Sequence, residues 1–178
     1  MRAMRITIAA GTMLAALVSI GAARTQRASP HESVSASIDG ADISITYGRP
    51  YTRGRAIFGA LVPYGRVWCP GADEATTLTS SKPLTIGNLL LDAPQYTLWI
   101  LPTADEWQLV VSKQTGQWHT QYREASDLGR VPLQKRTLDA PVEQLTFALR
   151  KNAEGTGGSI VFTWATTEAS APFTVERR

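Results

Sequence analysis

Four arginines, Arg49, Arg53, Arg55 and Arg66, fall in one stretch of chain that holds no acid until Asp73 and Glu74 arrive side by side. Guanidinium groups gathered this way suit carboxylates or phosphates, whose paired oxygens match the flat fork of donors. The same stretch carries the only cysteine, Cys69, next to Trp68, with further aromatics at Tyr47, Tyr51, Phe58 and Tyr64. Aromatic faces beside arginines suit sugar, peptide or cell-wall ligands, by stacking and cation–π contact. Trp118 and Tyr122 add a second aromatic group in the longest later loop. The expected ligand-binding set is therefore Arg49, Arg53, Arg55, Arg66, Trp68, Asp73, Glu74 and Trp118.

Each of these residues has a competing structural role. The arginines are expected to pair with Asp73 and Glu74, because an irregular segment needs side-chain partners for its backbone and charges. Asp73 and Glu74 precede a β-rich run, where neighbours point to opposite faces, so they do not form an acid–base pair. Glu74 is the weak catalytic candidate, and nothing selects a second carboxylate among Glu106, Glu124 and Asp127. A cysteine nucleophile would need His119, fifty residues away, and no glycine elbow surrounds Cys69. The thiol reads instead as a small apolar side chain. With two histidines and no Cys or His pair at ligand spacing, no metal and no cofactor are expected.

The segment that must position these groups, residues 47–77, contains Pro50, Pro63, Pro70 and five glycines, so it is neither helix nor strand. Around it the dominant period is two. Val34, Ala36 and Ile38 alternate with serines, as do Ile43, Ile45 and Tyr47 with polar residues, and Asp39-Gly40 between them is a hairpin signal. Gly87-Asn88 plays the same part between 84–86 and 89–91. Residues 96–101 and 107–112 are β-rich runs joined by a polar turn, and 145–149 and 160–164 flank the glycine-rich turn 154–158. Residues 120–130 make one helical turn at most. Nine or ten short strands predict an all-β, antiparallel β-sandwich, jelly-roll-like or Ig-like, with one long irregular loop segment.

The N-terminus reads separately. Arg2 and Arg5 precede an uncharged apolar run that ends in Gly21-Ala22-Ala23, the pattern of a secretory signal peptide over residues 1–23. A retained anchor competes with cleavage, but the run is rich in Ala, Gly, Ser and Thr and only weakly apolar. Residues 24–32 are expected to be a flexible leader and 33–178 a single domain. Loss of 1–23 removes two arginines and no acid, lowering the formal net charge from +3 to +1. No nucleic-acid partner and no stable membrane insertion after cleavage follow, and the expected location is exported, periplasmic or secreted.

The order SITYGRP, GRAIFG, LVPYGRVW and GADEATT across residues 44–77 resembles the bacterial family known as domain of unknown function 2911. Later pieces fit too: Ile86-Gly87, Tyr96-Thr97-Leu98 with Pro102, Asp105-Glu106-Trp107, and Gln117-Trp118 with Tyr122. The resemblance runs from Ser33 to Val175. It implies an exported single-domain β-sandwich and no established activity. Two positions depart from it: Cys69 stands where many members carry arginine, and Asp73 where many carry asparagine. The resulting reading is a non-enzymatic binding module whose Arg/Glu/aromatic cleft takes a small anionic or saccharide ligand or a partner's chain end. Two alternatives stay open. One is a hydrolase using Glu74 as acid/base, with arginines stabilising anionic charge. The other is a structural envelope protein in which the cluster only locks the loop.

Overall fold

The structure, a computed structural model, describes residues 29–92 and 94–177 of the chain. The expected signal peptide and leader residues 24–28 lie outside the described residues. Strand β1 spans His31–Ile38 and β2 Ala41–Gly48, so the ordered sheet begins inside the expected leader, at His31. The turn between them places both Asp39 (φ 47°) and Gly40 (φ 73°) in the left-handed region, the geometry a two-residue hairpin needs to match strand twist. Along β2 the pattern is clean: Ala41, Ile43, Ile45 and Tyr47 are buried, while Asp42 and Thr46 face solvent.

The remaining strands are β3 (Thr77–Ser80), β4 (Leu84–Ile86), β5 (Leu89–Leu91), β6 (Gln95–Pro102), β7 (Trp107–Ser112), β8 (Asp127–Lys151) and β9 (Gly157–Val175). They join in one antiparallel ladder in the order β1-β2-β3-β6-β7-β8-β9-β4-β5. The fold is all-β, as expected. The expectation of short strands throughout is corrected by β8 and β9, of 25 and 19 residues. The stretch 127–142 has Pro132, Pro141 and many charges, and its run of alternating apolar residues is confined to Leu138, Ala140 and Val142 around a proline, so its pairing with β7 and β9 left little mark in the sequence. The helical turn expected near 120–130 is a single 3-10 turn, Glu124–Ser126.

Between Thr137 and Thr146 the pairing of β8 with β9 shifts register twice. Such bulges bend a strand and raise its twist. They let the start of β8 pair with β7 while its end packs opposite β2. There the Tyr47 and Phe147 rings meet edge-on at 4.9 Å, and the Tyr47 hydroxyl accepts a 2.9 Å hydrogen bond from the Phe147 N–H. The apolar core lies between these two layers, with Ile43, Ile45, Leu98, Ile100, Leu109, Phe147, Phe162 and Trp164 among its members.

Residues 49–76 cross the mouth of this sandwich without regular structure, yet they are stapled at both ends and in the middle. Tyr51 bridges Gln144, Trp68 bridges Ile100 and Glu74 bridges Trp118. Ile57 and Val62 bury their side chains in the core. Gly48 is required by proximity: a Cβ there would lie 2.3 Å from the Ala72 carbonyl oxygen. Further along, Cys69 and Ala75 cover the outer face of β6 and β7, forming a small second core with Trp99 and Val110.

Candidate functional site

Where the segment folds over β6, it leaves a cleft of about 430 Å³, within the range of small-molecule sites. Its aromatic walls are Trp68, Trp99, Tyr122 and Trp164, with Pro50, Leu61 and Val67 adding apolar surface. Trp68 and Trp164 stack at 5.8 Å with planes 10° apart, and Tyr122 meets Trp99 edge-on at 5.1 Å. Polar groups come from Arg55, His119 and Thr120, and Cys69 and Gly71 complete the lining. Among the described residues lining the cleft, none is an aspartate or glutamate. Among the described residues, the indole N–H groups of Trp99 and Trp164 have no hydrogen-bond acceptor.

The four arginines do different things. Arg49 is a strut: Nε donates to the Leu145 carbonyl at 3.0 Å, Nη2 to the Thr146 hydroxyl at 2.8 Å, and Nη1 pairs with Glu32 at 2.6 Å. Arg53 occupies a left-handed conformation (φ 49°), and its backbone N–H donates to the Glu143 carboxylate. Arg55 lies against two backbone carbonyls, Nε donating to Thr52 at 2.9 Å and Nη2 to Tyr51 at 2.7 Å. That arrangement fixes the guanidinium plane at the cleft, and among the described residues Nη1 makes no hydrogen bond. Arg66 is exposed and lies outside the cleft lining.

The acids differ from expectation. Glu74 pairs with His31 at 2.8 Å, and Arg49 takes Glu32 as its carboxylate partner. The carboxylate beside Arg53 and Arg55 is Glu143, contributed by β8. The Thr52 hydroxyl, the Arg53 N–H and the Arg55 charge hold Glu143 below the ordinary carboxylate range. The expected pairing of the arginines with Asp73 and Glu74 is thus replaced, for Arg49, by an acid on β1. Spacing along the loop could not reveal partners from other strands.

Asp73 is left-handed (φ 66°), and its backbone carbonyl accepts two hydrogen bonds from His119, one from the backbone N–H at 2.9 Å and one at Nδ1 at 2.7 Å. Trp118, beside it, is 45% exposed, with its ring tilted over the His119 imidazole at 5.6 Å. Of the eight residues expected to bind ligand, Arg55 and Trp68 line this cleft. Arg49 binds β1 and β8, the Arg53 backbone N–H donates to Glu143 of β8, Glu74 pairs with His31, and Asp73 holds His119 through its carbonyl.

Cys69 is buried, 1% exposed, and its sulfur accepts the Thr76 N–H at 3.3 Å. Burial pushes the thiol up to about 11, so it stays protonated at neutral pH and is poorly suited to attack. Burial and the hydrogen bond to Asp127 push the Tyr122 phenol to about 12. Among the described residues, no group of three His, Cys, Asp or Glu side chains could hold a metal ion. No helix among them is long and apolar enough to cross a membrane.

Trp99 and Trp164 lie in the apolar core and also wall the cleft, and His119, weighed from the sequence only as a partner for the thiol, lines it with them. These residues come from β6, the 113–123 loop and β9, and no spacing rule joins segments so far apart. A family model described as "Protein of unknown function (DUF2911)" matches residues 29–173. No curated protein and no solved structure matches the chain.

Proposed function

The chain belongs to the DUF2911 family of proteins of unknown function, and from that premise we propose that its function is carried by the cleft, as a binding module for a small organic anion. One observation carries this reading. Arg55 is held by two carbonyls at the edge of an aromatic-walled cleft whose lining contains no carboxylate. A preorganised guanidinium loses little freedom on binding, and stacked rings receive the ligand's apolar face. Export of this module is part of the proposal and rests on the basic, apolar and small-residue order of positions 1–23.

The walls supply their own probe, since Trp68, Trp99 and Trp164 should report ligand entry by intrinsic fluorescence. Titration with benzoate and glucuronate should change the emission of the wild-type protein and of Arg66→Ala, whose arginine lies outside the cleft. Arg55→Ala should lose at least tenfold in affinity, equivalent to about 1.4 kcal/mol. Equal affinity in Arg55→Ala would overturn the reading. The hydrolase alternative places its acid at Glu74, which is exposed and paired with His31, so the geometry favours binding over that chemistry.

A further inference from the structure

The His119 ring is not free to choose its tautomer. Nδ1 lies 2.7 Å from the Asp73 carbonyl oxygen, which can only accept. Nδ1 therefore carries the proton, and in the neutral ring Nε2 presents a bare lone pair. The Asp73 carbonyl is aimed at the ring by a left-handed backbone (φ 66°), a conformation that non-glycine residues seldom adopt. The same oxygen also takes the His119 backbone N–H, so both ring and main chain are held. The ring is half-buried and lines the cleft with Arg55.

The cleft thus offers two oriented polar groups of opposite kind. Arg55 donates only, and neutral His119 accepts at Nε2. The same lining includes flat aromatic walls, among them the stacked Trp68–Trp164 pair. A simple carboxylate would use the donor and leave the acceptor idle. A neutral sugar would use the walls and the acceptor but offer no carboxylate to the guanidinium fork. A sugar ring bearing a carboxylate uses all three: its C–H face stacks, its carboxylate meets the guanidinium, and a ring hydroxyl donates to Nε2.

We propose that the cleft is specific for acidic saccharides, with Arg55 binding the carboxylate and His119 Nε2 accepting from a sugar hydroxyl. This rests on the small-anion reading above and narrows it. The hydroxyl contact sets selectivity because a ligand covering the half-buried ring without donating to Nε2 leaves that acceptor unpaired, which is costly, whereas a matched one is close to neutral.

The test is calorimetric titration of the purified full chain with glucuronate, glucose and benzoate, each also run on His119→Phe and His119→Gln. Glucuronate should bind at least tenfold more tightly than either glucose or benzoate. His119→Phe should lower glucuronate affinity about tenfold and leave benzoate unchanged, and His119→Gln, whose amide oxygen can accept, should recover part of the loss. Benzoate binding as well as glucuronate, or glucuronate affinity unmoved in both His119 variants, would overturn this inference and leave the small-anion reading standing. Glucose binding as well as glucuronate, or no binding by any of the three, would overturn both.

Discussion

At the scale of single residues, two arginines six positions apart illustrate how one residue type serves unrelated ends. Arg49 spends its donors on a carbonyl, a hydroxyl and a carboxylate from β1 and β8. Removing it should destabilise the fold by about 2–3 kcal/mol, at roughly 1 kcal/mol for each lost hydrogen bond. Urea unfolding of Arg49→Ala beside Arg55→Ala checks this. The expected result is a larger drop in midpoint for Arg49→Ala, which loses three side-chain contacts that join two strands, than for Arg55→Ala, which loses two hydrogen bonds to its own loop, the reverse of their order in ligand affinity. Asp73 belongs at this scale as well: its contribution to the cleft is its carbonyl, turned by a left-handed backbone.

At the scale of elements, β8 decides the architecture, since its bulged middle carries the chain from one layer to the other. Arg136 and Arg150 flank that middle on either side, and both grip Glu168 of β9, at 2.7 and 3.0 Å. One nearly buried carboxylate thus staples the two ends of the bend together. Its hydrogen bonds to Arg136 and then Arg150 hold Glu168 below the ordinary carboxylate range. The staple's contribution is therefore complete above the ordinary carboxylate value of 4.5 and is lost as pH falls below it. Both guanidinium groups are more than half exposed, which keeps the effect modest. Glu168→Gln should cost about 1–2 kcal/mol at pH 7. The difference from wild type should shrink toward pH 3, measured as the change in urea midpoint.

At the scale of the whole molecule, stability should depend on pH at the alkaline end through the buried Cys69 and the partly buried Tyr122. Cys69 rises from 9.0 to about 11, and Tyr122 from 10.0 to about 12. A folded state that holds these protons more tightly than the unfolded chain is fully stabilised below the unfolded values. It loses that stability as pH climbs through the folded ones. For the thiol, two pH units correspond to roughly 3 kcal/mol. Melting or urea midpoints should therefore stay level to about pH 9 and fall steeply above it. Cys69→Ala should delay the onset toward pH 10; an onset unchanged from wild type would show that the thiol does not govern the decline.

The sequence by itself determined the strand-rich class, both tight hairpins and the place of the long irregular segment. These depend on local physics: alternation of side chains across a pleated strand, and glycine or aspartate at positions that need positive φ. It also determined family membership, because a long ordered motif series survives in linear form. Only the tertiary structure decided that 127–142 is strand, since the partners that satisfy its backbone lie on β7 and β9. Only the tertiary structure divided the arginines between strut and cleft, because their acids, Glu32 and Glu143, sit on strands the loop touches after folding. The cleft itself belongs wholly to that level. Its walls come from the long segment, β6, the 113–123 loop and β9, and a surface assembled from distant segments has no period or spacing by which a sequence can announce it.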